Sequence, residues 1–478
     1  MKYRRSIAIL LCLTLVLVFA QAGFPGAQPS QSVFAADTDP NAPAGPQRVY
    51  LPLVSTQNNN ANNTKQAHAA ANGSSGMLCT TSSSPNPSFT LTASADYISM
   101  PDGNSIFTWS YSPSGGGFQF PGPVLCVNQG DNVTVVLNNT LPEATSIVFL
   151  GIDNVMANGA PAQPQFSGAT LTSLTNSAAA TNGSVTYSFV AGKPGTYLYE
   201  SGADVGKQVQ MGLYGALVVR PAGHPDWAYT NPVNGNAVGQ FLPATEYVIL
   251  LSEMDPNLHS AIELGQPYDV TTLHPRYWLI NGRSFPDTIA ANNAAWLPNQ
   301  PYSALVHVKV TDPPGSQSPA LVRYLDAGSL GHPFHPHAQN GRVIARDATP
   351  LVDATGNDLS YETFAFTIGS GQTWDQLYTY EDQEHFDPTS NPVPVTMPQL
   401  QNLVFKDNAT YYSGSPYLGK KGQLPVGTTS FNECGEFYMV WHSHALNEVA
   451  NYDAGFGGML TLERIDPLTA ATGTTCSQ

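Results

Sequence analysis

Five of the chain's eleven histidines fall in two short motifs about a hundred residues apart, His332-Pro-Phe-His335-Pro-His337 and His442-Ser443-His444. Each motif contains a His-x-His pair. On a β-strand, side chains two positions apart share a face, so each pair presents two imidazoles together. Imidazole is the commonest transition-metal ligand, and four of them suit one Cu(II) or Zn(II) ion. His335, His337, His442 and His444 are therefore the candidate metal ligands. Glu200, between Tyr199 and Ser201, is a further candidate that would have to reach them across a domain interface. Glu448 and His332 are the other additional candidates, with a salt-bridged or solvated carboxylate expected for Glu448 and a packing or second-sphere role for His332. His68, His224, His259, His274, His307 and His385 have no partner motif and are expected on the surface or in loops. No Gly-rich phosphate loop and no Gly-x-Ser-x-Gly nucleophile motif is present.

The elements that must position these groups read as strands. Val133, Val135 and Leu137 recur at every second residue, as do Val185, Tyr187 and Phe189, then Val306, Val308 and Val310, then Phe364, Phe366 and Ile368. Clusters of Gly, Pro, Asn and Asp separate the runs, and no long stretch has a helical period. This pattern predicts an all-β chain built of β-sandwiches. A faint repeat supports two of them. Gly195-Thr-Tyr-Leu-Tyr-Glu200-Ser-Gly202 leads on to Gly212–Val219, as Gly435-Glu-Phe-Tyr-Met-Val-Trp-His442-Ser-His444 leads on to Gly457–Leu462. The expected domains are 86–220 and 240–466, joined by 221–239, with a tail at 467–478.

The first 35 residues read as an export signal: Lys2, Arg4 and Arg5, then the apolar run Ile7–Ala20, with Val18-Phe19-Ala20 and Val33-Phe34-Ala35 as cleavage sites. Residues 36–85, rich in Ala, Asn, Ser, Pro and Gln, read as a flexible linker. Nothing later is long and apolar enough to span a membrane. A charged fraction of 11% with net charge −16 fits an extracellular or periplasmic protein and argues against nucleic acid or an anionic membrane as partner. After Cys12 in the signal, Cys79, Cys126, Cys434 and Cys476 remain, an even number in an oxidising compartment. The simplest pairing joins chain neighbours; the other two connectivities stay open.

At these residues the chain resembles the multicopper oxidase family of cupredoxin, plastocyanin-like domains. Phe120-Pro-Gly-Pro-Val124 with Gly130-Asp131, Tyr277-Trp-Leu-Ile-Asn-Gly-Arg283 and the His332–His337 motif occur in the family's order. The resemblance implies two cupredoxin-like Greek-key β-sandwiches, a copper cofactor, oxidoreductase activity on a small-molecule substrate, and a homotrimer as the assembly of two-domain members. The ligand positions depart from the family. Val148, Leu150, Glu200 and Gly202 stand where its first half supplies four histidines, Ser443 where it has the copper-binding cysteine, and Glu448 where it has a further histidine. The expectation is a protein with at most one copper or zinc ion and no complete four-copper oxidase site. The alternative is an extracellular binding or scaffold protein that holds no metal.

Overall fold

The computed structural model describes residues 76–311, 315, 318–381, 402–404, 410–412 and 437–466. The candidate export signal, Cys434 and Cys476 lie outside the described residues. The described chain is nearly all strand, and its order in the sheets is not sequential. In the first half, one sheet runs Thr80–Thr81, Leu125–Asn128, Tyr214–Arg220, Gly195–Glu200, Val148–Phe149; the facing sheet includes Ser105–Pro113, Ser88–Ser99, Asn132–Asn139 and Gly183–Val190. In the second half, a six-stranded sheet runs Phe366–Ile368, His332–Pro336, Phe437–Ser443, Leu460–Asp466, Val306–Thr311, Tyr380–Glu381. It packs on a nine-stranded sheet that contains Glu246–Met254, Ala320–Asp326 and Thr373–Tyr378.

The alternation seen in the sequence becomes the core. Val133, Val135 and Leu137 pair directly with Phe189, Tyr187 and Val185 in an antiparallel ladder, and all six are buried. Such cross-strand pairs on one face are what fixes register, because a slip of one residue would turn the whole set to solvent. Val306, Val308 and Val310 enter the second core with Phe334, Trp441 and Met459. A third apolar cluster, including Phe120, Leu198, Tyr214, Val248, Tyr277 and Leu325, joins the two halves. Phe364 departs from its expected alternation. The strand begins at Phe366, opposite Phe334, and Phe364 is exposed.

Residues 76–85 do not behave as the linker expected from composition. Thr80–Thr81 pairs in parallel with Leu125–Cys126. A Cys79–Cys126 disulfide pins this strand, as the neighbour pairing required. Closing the loop between cysteines 47 apart is worth roughly 4 kcal/mol in the chain-entropy picture.

A buried ionic network also links the halves. Arg323 donates to Glu246 at 2.8 Å and to Thr196 at 2.9 Å, and lies 3.4 Å from Asp375. Thr196 and Tyr229 donate in turn to Asp375. Replacing such a pair with apolar groups is often neutral, but removing one partner strands the others without water. Arg323→Leu should therefore cost about 3–5 kcal/mol in urea unfolding; a loss below about 1 kcal/mol would show that the network carries no such burden.

Candidate metal centre

The His332–Pro336 strand runs antiparallel beside Phe437–Ser443, with Phe334 opposite Ser443, His335 opposite His442 and Pro336 opposite Trp441. The pleat then sorts the motif into two groups. His332, Phe334, Pro336, Trp441 and Ser443 are buried on the inner face. His335, His337, His442 and His444 stand on the outer face, half-buried or exposed. His332 and His335 are three apart in sequence, an odd spacing that sends them to opposite sides of the sheet.

On the outer face the four imidazoles form one cluster. The Nε2 atoms of His337 and His442 are 3.1 Å apart. The ring of His335 lies 4.6 Å from that of His337, 5.3 Å from His444 and 5.8 Å from His442. His442 Nδ1 is 2.7 Å from the Ser443 carbonyl, which makes it the donor and leaves Nε2 as a lone pair. His335 Nδ1 is buried and has no hydrogen-bond partner. Burial, reinforced by the neighbouring imidazoles, holds His335 and His442 below the ordinary histidine value and takes His337 down to about 4. The neutral, ligating form is therefore the one present at neutral pH. Trp441 donates its indole N–H to the His337 carbonyl at 3.2 Å and so ties the two strands below the cluster.

These features fit a metal ion. Two facing nitrogens 3.1 Å apart have the separation of neighbouring ligands on one ion with bonds of roughly 2.0–2.1 Å. Among the described residues, no three His, Cys, Asp or Glu side chains are already drawn round a common point closely enough to hold an ion. Binding thus requires ring rotations that gather His335 and His444 to the facing pair.

The inner face carries a different chemistry. His332 Nδ1 is 2.9 Å from Glu448 Oε2, which also accepts from Ser443 Oγ at 2.5 Å. His332 Nε2 faces Glu253 Oε2 at 3.3 Å and Asp326 Oδ1 at 3.9 Å. Burial would lower the His332 value, but Glu253, Glu448 and Asp326 together raise it to about 10. Burial, with Glu253 adding to it, raises the Asp326 carboxyl to about 8. Glu448 and His332 thus hold each other, and neither lies in the outer cluster. Glu253 and Asp326 were not foreseen. Their signal in the sequence is a lone carboxylate at the end of an apolar strand, in Leu250-Leu251-Ser252-Glu253 and Leu325-Asp326.

The first half offers the cluster no histidine. Glu200 pairs across the sheet with Val148, and burial raises its carboxyl to about 7. No hydrogen bond, ion pair or ring contact joins it to the four imidazoles among the described residues. A Cβ on Gly202 would fall 2.5 Å from Val148 Cγ2 and 3.1 Å from Ser146 Oγ, so no larger residue fits there without displacing its neighbours. Leu150 packs in the cluster between the halves, and Met459 in the second core. His259 corrects the sequence reading. It is buried on the Pro256–Glu263 helix, with its ring nitrogens 2.6 Å from the Phe107 carbonyl and 3.1 Å from that of Gln210. Phe364, read as a strand residue, instead lies with its ring 5.8 Å from His335.

Residues 115–224 match the family model described as multicopper oxidase. That segment, about a quarter of the chain, carries the likeness to the family. The chain is 34% identical over 125 residues to a multicopper oxidase of Cercospora beticola, a match covering 24% of this chain and 18% of that protein. It is 36% identical over 103 residues to L-ascorbate oxidase of Cucumis sativus, covering 22% of this chain and 16% of that protein. The chain therefore spans less than a fifth of either relative. The blue copper oxidase structure from Nitrosomonas europaea aligns over 80% of this chain and 85% of its own, with a TM-score of 0.50 and 18% identity, a likeness of fold. That likeness of fold extends over both sandwiches. No helix among the described residues is long and apolar enough to cross a membrane.

The inner network makes a pH prediction. The folded His332 binds its proton more tightly than an unfolded histidine, whose ordinary value is about 6.5. Its contribution is fully present below about pH 6.5 and is lost as the pH rises through about 10. Asp326, raised to about 8, acts in the same direction at lower pH. The melting temperature of EDTA-treated protein should fall steadily from pH 7 to about 10. A level profile over that range would contradict the network.

Proposed function

We propose that this chain is an exported, copper-binding protein of multicopper oxidase type that holds one ion at His335, His337, His442 and His444. The observation that carries this reading is the facing pair of Nε2 atoms in His337 and His442, 3.1 Å apart, with the His442 tautomer set by the Ser443 carbonyl. Copper would supply a one-electron couple there. The chain's own residues supply neutral imidazoles, a rigid floor through the Trp441 clamp, and an apolar wall at Phe364. Exposed His337 and His444 leave one side open to a small-molecule substrate.

The other copper positions of the family have been given over to different interactions. Gly202 closes on Val148 and Ser146, and Glu200 is paired in the sheet with Val148 and Tyr214. Serine at 443 bonds to Glu448 and offers no thiolate, the group that gives a blue copper site its colour and electron path. The proposed activity is therefore single-copper redox chemistry, without four-electron reduction of oxygen.

Equilibrium dialysis against copper should leave about one tightly held ion per chain, as one four-imidazole cluster allows. His335→Ala with His442→Ala should abolish retention while leaving the circular dichroism unchanged, since both residues are on the outer face. Three or four retained ions, or undiminished affinity in the double variant, would overturn the proposal. A well-folded wild-type chain that retains no copper would favour the scaffold alternative.

A further inference from the structure

Glu253, Asp326, His332 and Glu448 are each no more than 4% exposed. Three carboxyl groups thus share one imidazole in the interior, and even with Asp326 protonated two carboxylates face a single imidazolium. Among the described residues, His332 is the only ion-pair partner that any of the three has. Burying a carboxylate without a compensating charge costs several kcal/mol, so a cluster this short of positive charge needs something more than one imidazole.

The donor atoms are arranged for a cation on the Nε2 side of His332. Glu253 Oε1 takes the polar donors of its surroundings: Ser329 N at 2.7 Å, Ser329 Oγ at 3.0 Å and Gln210 Nε2 at 3.2 Å. Its other oxygen, Oε2, is left facing His332 Nε2 at 3.3 Å. That gap is the spacing of two ligands about 105° apart on an ion with bonds of ~2.1 Å. Asp326 Oδ1 accepts from Gly328 N at 2.9 Å, and Oδ2 is buried without a partner. Gly328 keeps the place open, because a Cβ there would fall 1.9 Å from Glu253 Oε2. On the far side of the ring, Glu448 accepts from Nδ1 at 2.9 Å. A carboxylate on the distal nitrogen is the usual support of a metal-bound histidine, and the ion would displace to solvent the proton that Nε2 otherwise shares with Glu253.

We propose that Glu253, Asp326 and His332 form a second, buried metal site for a divalent cation that accepts two carboxylates and one imidazole, the class of Mn(II), Fe(II) and Zn(II). Glu448 positions His332 and does not ligate. Asp326 must turn its free oxygen toward the ion, since these side chains do not yet surround a common point. Exposed Ser329, bonded to Glu253, marks the way in. The site is separate from the outer imidazole cluster and does not depend on it.

The test uses the full chain stripped with EDTA and titrated with Mn(II), following the loss of the free-ion EPR signal. One Mn(II) per chain is expected, with a rise in melting temperature. His335→Ala with His442→Ala should leave this binding unchanged. Glu448→Gln should weaken it by roughly 10–100-fold, and the near-isosteric Asp326→Asn should abolish it. No uptake by the wild-type chain at millimolar Mn(II), uptake lost in the double histidine variant, or affinity unchanged in Asp326→Asn would each overturn the proposal. If Asp326→Asn does not fold, the wild-type count and the Glu448→Gln affinity decide the matter.

Discussion

The antiparallel pairing of His332–Pro336 with Phe437–Ser443 is the constraint on which the rest depends. Its register sets His335 against His442, and the pleat does the remaining work. Every second side chain goes outward into an imidazole cluster, and the others go inward to the core. A slip of one residue would exchange the two sets, putting Phe334 and Trp441 in water and four imidazoles in the interior. Fully burying a large apolar side chain is worth about 1.5–3 kcal/mol, so Phe334 and Trp441 alone hold the register firmly.

Because the two faces are sorted by the backbone, they can differ in chemistry while sharing the same seven-residue strand and its neighbour. The outer face gathers nitrogen donors, and burial with mutual crowding disfavours the protonated form of His335, His337 and His442. The inner face surrounds one histidine with carboxylates and a serine hydroxyl. Ser443 and Glu448 satisfy each other there, so the inner face is a bonded polar network. In the first half, Gly202 is packed too closely on Val148 to carry a side chain.

Much of this was legible in the sequence, and the physical reason is local. Alternation of Val133, Val135 and Leu137 or Val306, Val308 and Val310 needs only a period of two. The His-x-His pairs announce a shared face for the same reason. What was not legible depends on contacts between distant segments. Glu253 and Asp326 reach His332 from other strands, and His259 is buried by carbonyls from Phe107 and Gln210. Composition assigned residues 76–85 to a linker because it does not register a single cysteine. Cys79 is what binds that segment to the sheet. Phe364 fitted the alternation of its neighbours, yet it lies past the end of the strand and beside the cluster.

Under the proposed function, copper meets only imidazoles from the outer face of this strand pair. X-ray absorption at the copper edge of the copper-loaded chain tests it most directly. A first shell of nitrogen or oxygen is expected, with the outer-shell scattering of several imidazole rings and weak visible colour. A short copper–sulfur contact with intense blue absorption would contradict it, because no thiol stands on the outer face among the described residues.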